Sequence, residues 1–470
     1  MKLEQIYTGC LAQGAYYIES KGEAVIIDPL RETAPYVKKL ADEGATLKYI
    51  FETHFHADFV SGHVDLAKET GAKIVFGPTA TTGYDAHIAT DGEVFAIGDI
   101  KLKVLHTPGH TMESTTFLLI DEKGKEHAIF SGDTLFIGDV GRPDLAIKSN
   151  VTKEDLAGML FDSLRNKIMT LPDEVLVYPA HGAGSACGKN MSKETWDTLG
   201  NQKKTNYALR ADMSKEEFIK EVTTGILPPP YYFAKNAMMN KSGYENVNTV
   251  INKGMTPLSP ADFEAVVEAE GALVLDTRSP QEFEKGFVPR AINIGLNGDF
   301  APWVGNLITD IKHPIVLVTE EGKEEDSVKR LARVGYDNTL GFLKGGVAAW
   351  AAAGKELDTV TTLTAQDLAD LSKKENIHIV DVRKPSEWEA EHLEKAVGLP
   401  LNFITENWDD YEKDKTNYIH CAGGYRSMIA ASILKSRGYH NVVNIAGGFK
   451  AIAETDMPKT SYVCPSTLKA

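Results

Sequence analysis

Apolar and polar positions in the first half of the chain fall into short blocks, and most blocks end on a residue that breaks the pattern. Ala24-Val25-Ile26-Ile27 is a continuous apolar run closed by Asp28-Pro29, as expected of a buried strand entering a turn. Thr33 to Glu43 carries helical spacing, Tyr49-Ile50-Phe51 a strand, Val60 to Thr70 a helix, and Lys73-Ile74-Val75-Phe76-Gly77 another strand. Lys101 to His106 alternates with period two and breaks at Thr107-Pro108-Gly109-His110. Thr115–Ile120 and His127–Phe130 predict a strand pair, followed at once by Ser131-Gly132-Asp133. Val175-Leu176-Val177-Tyr178 runs into Pro179-Ala180-His181-Gly182, and residues 195–225 read as helical and charged. Pro228-Pro229-Pro230 stiffens the connection that follows, and Tyr231 to Gly254, rich in Asn and Lys, reads as a linker or a wrapping segment.

The remainder repeats itself. Ala272-Leu273-Val274-Leu275-Asp276-Thr277-Arg278-Ser279-Pro280-Gln281-Glu282-Phe283 matches Ile377-His378-Ile379-Val380-Asp381-Val382-Arg383-Lys384-Pro385-Ser386-Glu387-Trp388. Arg333-Val334-Gly335-Tyr336 matches Ser436-Arg437-Gly438-Tyr439, and Leu343-Lys344-Gly345-Gly346 matches Ile445-Ala446-Gly447-Gly448. The period of about 103 residues is too long for a solenoid and implies a duplicated domain of alternating strands and helices.

Length and charge narrow the picture. At 470 residues, roughly three domains are expected. The net charge of −16 argues against a nucleic-acid-binding role. Met1-Lys2-Leu3-Glu4 opens no apolar signal region and no run reaches ~18 apolar residues, so neither secretion nor membrane spanning is expected. Cys10, Cys187, Cys421 and Cys464 are scattered, with no metal-pair spacing and no disulfide framework, which fits a reducing cytoplasm. Cys10 and Cys464 read as passive thiols.

Metal-capable residues recur just beyond strand ends, the edge where layered α/β folds collect ligands. His54, His56 and Asp58 fall within one extended stretch and are expected on one side of it; His110, Asp133 and His181 follow later strands. His87, His127, His313 and His378 read as ordinary surface or core residues. Phe59, directly after the first motif, cannot ligate.

His54-x-His56-x-Asp58, Thr107-Pro108-Gly109-His110-Thr111, Ser131-Gly132-Asp133 and Tyr178-Pro179-Ala180-His181 resemble the motifs of the metallo-β-lactamase superfamily across residues 1–245. The resemblance implies an αββα sandwich. Binuclear hydrolases of the glyoxalase II type in that superfamily carry a second histidine where Phe59 stands, which leaves Asp58 and His181 poorly equipped for a second ion. The chain is similar instead to the persulfide dioxygenase branch, also through Asp28–Pro35 and Gly138-Asp139-Val140-Gly141-Arg142-Pro143-Asp144. That branch implies a mononuclear Fe(II) held by His54, His110 and Asp133, with His56, Asp58 and His181 around them. Arg142 and Tyr178 are candidates for holding the thiol carrier. Cys187, in Gly184-Ser185-Ala186-Cys187-Gly188, is a candidate for the site entrance.

In the second repeat, Tyr418-Ile419-His420 is a strand end running into Cys421-Ala422-Gly423-Gly424-Tyr425-Arg426 and a helix over Ser427–Arg437. A helix N-terminus offers N–H groups to an anionic sulfur, the glycines let a cradle form, and Arg426 adds positive charge. Residues 361–460 resemble rhodanese sulfurtransferases through Asp381-x-Arg383, the Cys421 loop and Gly447-Gly448. Four residues lie between Cys421 and Arg426, where related phosphatase loops keep five, and the shorter loop suits transfer through a Cys421 persulfide. The first repeat, residues 256–357, keeps Asp276-x-Arg278 and Gly345-Gly346. By ungapped comparison its loop reads Val318-Thr319-Glu320-Glu321-Gly322-Lys323, without cysteine, and it is expected to be inactive.

The order of domains resembles bacterial persulfide dioxygenase–sulfurtransferase fusions of sulfide detoxification. The resemblance implies oxidation of a low-molecular-weight thiol persulfide by O2 to a sulfite-level product, sulfur transfer through Cys421, thiosulfate as product, and a homo-oligomer, dimer or tetramer. The rivals are a binuclear zinc thioester hydrolase with passenger rhodanese domains, and a non-enzymatic sulfur sensor built on Cys421.

Overall fold

The computed structural model describes residues 1–146, 150–226 and 228–464. The chain divides into two compact units, Met1–Thr249 together with Leu331–Asp337, and Val250–Arg330 together with the chain from Asn338 onward.

The first unit holds two six-stranded sheets. Strands β1 (Lys2–Thr8), β2 (Gln13–Ser20), β3 (Glu23–Ile27), β4 (Thr46–Glu52), β5 (Lys73–Phe76) and β6 (His87–Ile88) form one, in sequence order. The other contains β7 (Val94–Ile97), β8 (Ile100–His106), β9 (Thr115–Ile120), β10 (Glu126–Gly132), β11 (Leu176–Pro179) and β12 (Asp197–Thr198), again ordered by sequence. Period-two alternation explains the layering. In β9 and β10, Phe117, Leu119, Ala128 and Phe130 enter the core between the sheets, with Tyr16, Ile18, Val25, Ile27, Phe51 and Val75 from the first sheet. Their neighbours Leu118 and Ile129 face the other way, into a core with Ala157 and Leu160 of helix Lys153–Ser163 and Phe218 of helix Lys215–Thr223. The outer face of the first sheet packs Ile74 and Phe76 with Val64 of helix His63–Thr70. Helices therefore cover both sheets, the expected αββα order.

The two repeats share one topology. β13 (Pro257–Leu258), β14 (Leu273–Asp276), β15 (Ile292–Asn293), β16 (Ile315–Val318) and β17 (Thr339–Leu343) lie in the order β13-β17-β16-β14-β15. β18 (Thr361–Leu363), β19 (His378–Asp381), β20 (Ala396–Gly398), β21 (Asn417–His420) and β22 (Val442–Ile445) lie in the equivalent order β18-β22-β21-β19-β20, and every pair in both sheets is parallel. The Asp-x-Arg motif is a latch in each. Arg383 grips Asp381 at 2.6 Å and the Glu391 carbonyl at 2.8 Å; Arg278 grips Asp276 at 2.6 Å and the Gly286 carbonyl at 2.9 Å.

Several expected elements are redrawn. The helix expected from Val60 begins at His63, because Val60-Ser61-Gly62 is tied down as a loop. The 195–225 segment is two short helices, Leu199–Thr205 and Lys215–Thr223. Tyr231–Gly254 is ordered and also links: it forms helices Phe233–Ser242 and Val247–Gly254 and buries Asn240, and the chain passes from the first unit to the second at Thr249–Val250. Among the described residues no helix is long and apolar enough to cross a membrane.

Candidate metal centre and cysteine loop

Four strand ends supply the metal-capable residues of the first unit. β4 delivers His54, His56 and Asp58; β8 delivers His110; β10 delivers Asp133; β11 delivers His181. All six are buried. The stretch after Glu52 leaves the strand, so His54, His56 and Asp58 do not share one face. His54 joins His110 and Asp133, whereas His56 and Asp58 join His181; within each group the ligand atoms lie within 4.8 Å of one another.

Hydrogen bonds set the imidazole tautomers of the first group. Thr53 Oγ1 donates to Asp28 Oδ2 at 2.9 Å, so at 3.0 Å it accepts from His54 Nδ1–H. His110 Nδ1 lies 2.8 Å from the Arg142 carbonyl oxygen, which only accepts. Both rings therefore present an Nε2 lone pair, 3.9 and 3.4 Å from Asp133 Oδ2. Burial, then the neighbouring His56, His110 and His181, hold His54 well below the usual imidazole range, in its neutral, ligating form. Neither carboxylate oxygen of Asp133 accepts from an N–H or O–H donor among the described residues, although the side chain is buried, and only the weak S–H donor of Cys187 stands beside it. A buried unpaired carboxylate facing two imidazole lone pairs is costly unless a cation meets it, and the donor set fits a metal ion. Gly141 passes beneath: a Cβ there would lie 2.0 Å from the Asp133 carbonyl oxygen and 3.1 Å from His110 Nδ1.

The second group is turned elsewhere. His56 Nε2 lies 3.1 Å from Asp28 Oδ1 and 3.6 Å from Glu52 Oε2. Although burial opposes its charge, Asp28 pushes its pKa up to about 9. His181 Nε2 lies 3.4 Å from Asp58 Oδ2 and 3.6 Å from Asp133 Oδ1. Phe59, fully buried, sits with its ring 4.4 Å from that of His56 and 6.4 Å from that of His181. Asp28 is the residue that sequence reasoning passed over. It also accepts from Thr53 N at 2.8 Å, and its backbone sits at φ 50°, a left-handed conformation that Asp tolerates better than most side chains. Its place at a strand end before Pro29 and within the branch-like stretch Asp28–Pro35 hinted at it, but gave it no role.

The remaining candidates are placed as follows. Arg142 is buried, pairs with Asp144 at 2.6 and 2.8 Å, and donates to the Ala186 carbonyl at 3.2 Å. Its backbone N–H donates to the Cys187 carbonyl at 3.0 Å. Cys187 is buried, and its sulfur groups with Asp133 and His181; burial, then Asp58 and Asp133, push the thiol well up, so it stays protonated. The Tyr178 ring packs with Tyr16, Phe130 and Trp196.

In the second unit, Cys421 follows β21 and is buried. Helix Tyr425–Ser436 is capped by Gly424, whose N–H donates to Cys421 Sγ at 3.1 Å. Ala422 and Gly423 complete the turn, and Gly423 is exposed. Arg426 is held by Glu387, with Nη1 and Nη2 at 2.6 and 2.9 Å from its carboxylate. Burial alone would raise Glu387, but the Arg426 guanidinium brings it below the usual carboxylate range. Glu387 lay in the repeated motif without a visible partner. Its counterpart Glu282 pairs instead with Lys285 at 2.6 Å. Register puts Val318 opposite Asp276 as His420 stands opposite Asp381, so Thr319, one residue later than the ungapped comparison suggests, stands where Cys421 does. The cavity there measures about 60 Å³ and is lined by Glu320, Lys323, Asp326 and Arg330.

Residues 8–181 match the model of the metallo-beta-lactamase superfamily, and residues 259–353 and 364–455 each match that of the rhodanese-like domain. The human mitochondrial persulfide dioxygenase ETHE1 is 34% identical over 210 residues, covering 44% of this chain and 74% of that protein. A probable hydroxyacylglutathione hydrolase of Schizosaccharomyces pombe is 32% identical over 166 residues, covering 35% of this chain and 60% of its own. The crystal structure of a metallo-beta-lactamase from Staphylococcus aureus superposes with a TM-score of 0.64 at 32% identity, covering 73% of this chain and 98% of that one.

Proposed function

The chain belongs to the metallo-beta-lactamase superfamily, as a relative of its persulfide dioxygenases, and carries two tandem rhodanese-like domains; on that premise we propose that it is a bifunctional enzyme of sulfide detoxification. Its first unit oxidises a low-molecular-weight thiol persulfide, and its second repeat moves sulfane sulfur through Cys421. The overall oxidation balances as RSSH + O2 + H2O → RSH + SO3²⁻ + 2H⁺.

The observation that carries the oxidative half is the contrast between the two donor groups. His54 and His110 aim lone pairs at Asp133, which accepts from no N–H or O–H donor among the described residues, whereas the neighbouring group has the apolar Phe59 packed against His56 and His181. His54, His110 and Asp133 would hold one ferrous ion, which when bound supplies the redox chemistry that joins persulfide sulfur and O2. The surrounding residues set the stage. Thr53 and the Arg142 carbonyl fix the two imidazoles, and Asp28 keeps Thr53 and His56 in place. Cys187 is a buried protonated thiol beside Asp133 and His181, and on this reading it would line the face that the persulfide reaches.

In the second half, Cys421 Sγ attacks the sulfane sulfur of a persulfide. A Cys421–sulfur bond forms, the donor's S–S bond breaks, and the donor leaves as a thiolate. Sulfite then attacks the outer sulfur, releasing thiosulfate and restoring the Cys421 thiolate. The Gly424 N–H, 3.1 Å from the sulfur, supports its anionic form, and Glu387 holds Arg426 beside the loop. We place the functional boundaries at 1–245, 256–357 and 361–460 and the protein in a reducing cytoplasm.

The test is product analysis from iron-loaded protein under O2 with a panel of persulfides, of glutathione, coenzyme A, bacillithiol and cysteine. Sulfite and thiosulfate with stoichiometric O2 uptake are expected. The similarity to a hydroxyacylglutathione hydrolase favours a second reading, thioester hydrolysis. Turnover of a hydroxyacyl thioester of glutathione by zinc-loaded protein, with no O2 uptake on any persulfide, would replace the first reading with the second.

A further inference from the structure

The Cys421 loop is gripped from outside its own domain. Tyr425 opens the helix whose N-terminal turn faces the sulfur, one residue after the Gly424 amide that donates to it. The Tyr425 hydroxyl donates at 2.7 Å to the carbonyl of Gly295, in the first repeat. Its ring lies flat on Gly298, where a Cβ would fall 2.4 Å from Cζ and 2.5 Å from Cε2. About two helical turns further on, Ser432 Oγ accepts from Asn293 N at 2.9 Å, at β15. The gripping turn is itself braced, since Arg330 Nη1 donates to the Leu296 carbonyl at 2.8 Å. Leu296 and Asn297 of this turn rim the small cavity at the cysteine-less loop.

We propose that the cysteine-less repeat is a positioning domain for sulfur transfer: its Gly295–Gly298 turn holds Tyr425 and thereby aims the Gly424 N–H at Cys421 Sγ. The proposal rests on the reading of Cys421 as the sulfur carrier. Two anchors flank that amide. Arg426 is held by Glu387 of its own domain, and Tyr425 by the other repeat. Burial, with Asp299 next, holds the Tyr425 hydroxyl above the ordinary phenol range, so it remains a donor at any physiological pH. Only glycine at 298 leaves room for the ring. A repeat that has lost its own cysteine then keeps a function, because its fold sets the geometry of the neighbour's loop.

Full-length protein is assayed for sulfur transfer from thiosulfate to cyanide, in which the sulfane sulfur passes to Cys421 as sulfite leaves and then to cyanide as thiocyanate. Tyr425→Phe, which deletes only the hydroxyl, is expected to lower kcat about fivefold, the worth of one hydrogen bond, with KM for thiosulfate within about twofold. Gly298→Ala is expected to lower kcat further, and to add little in a Tyr425→Ala background, where the ring it would strike is gone. O2 uptake with persulfide stays at the parent rate throughout. Unchanged kcat in Tyr425→Phe and Gly298→Ala, a change confined to KM, or additive losses in the double variant overturns the clamp. Thermal melts identify a Gly298→Ala chain that has merely unfolded, in which case Tyr425→Phe decides. Cys421→Ser run alongside separates the two levels: if it still transfers sulfur, the carrier reading itself has failed.

Discussion

Asn240 offers the sharpest test of how the metal motif is held. Its side chain is buried and makes three hydrogen bonds to the loop after His54: Nδ2 donates to the His56 and Phe59 carbonyls, both at 2.8 Å, and Oδ1 accepts from Ser61 N at 2.9 Å. Two carbonyl partners on one atom identify that atom as the NH2. Asn240→Ala strips all three. At about 1 kcal/mol net per bond the loss is about 3 kcal/mol, rising toward ~6 kcal/mol if the stranded backbone groups stay dry. For a unit of this size, about 3 kcal/mol corresponds to a fall in Tm of roughly 6–12 °C. Asn240→Asp keeps the shape but turns lone pairs toward the two carbonyls and buries a charge, so it should cost more than Ala despite being isosteric. The assay is a thermal melt of full-length protein read by near-UV circular dichroism, with iron affinity by chelator competition. Iron binding should weaken in the same order, Asp worse than Ala, because both act on the loop that leads from His54. An Asn240→Asp protein that melts and binds iron like the parent would refute the reasoning, since the donor assignment would then be wrong.

Other substitutions probe the two sites separately. His110→Ala removes one Nε2 lone pair facing Asp133 and should abolish iron retention and O2 uptake; unchanged uptake would refute the metal role. Cys421→Ser should leave O2 uptake at least partly intact while sulfur transfer disappears. Phe59→His puts a nitrogen beside His56 and His181, and the zinc content of metal-loaded protein should rise from one toward two ions per chain, as read by elemental analysis. A ratio that stays at one would show that Phe59 does not limit the second group. The Glu387–Arg426 pair sets an acid limit. Glu387 is lowered in the folded protein, so its contribution is complete above the unfolded carboxyl value near ~4.3 and is lost only as pH falls through the lower folded value. Sulfur-transfer kcat should therefore show no loss from this pair between pH 7 and 5, whereas Glu387→Gln should lower kcat across that whole range; an acid limb near pH 6 that Glu387→Gln removes would contradict the pairing.

Legibility in the sequence followed the range of the interaction. The strand ends that deliver His54, His110, Asp133 and His181 were visible because period-two alternation and the Pro or Gly that stops it are properties of a few consecutive residues. The duplication was visible because equivalent motifs recur, and the matching strand orders of the two small sheets share that origin. His56 was not readable in the same way: alternation placed it beside His54, but it turned to Asp28, whose unusual backbone the pattern does not encode. Asn240 lay in a polar stretch indistinguishable from a linker, and its partners are more than 175 residues away in sequence.

The sequence by itself determined which chemistry the chain carries: the imidazoles and carboxylates at strand ends, the Phe59 that withholds a ligand, and one cysteine loop where two repeats had room for two. Tertiary structure alone decided the partners. It aimed two Nε2 lone pairs at Asp133, gave Arg426 to Glu387, and set Tyr425 on a turn of the neighbouring repeat. The physical reason is that strand and turn propensities act between adjacent residues. A buried hydrogen bond or ion pair exists only where two distant surfaces have already been brought together, and its partner is fixed by the packing that excludes water from both.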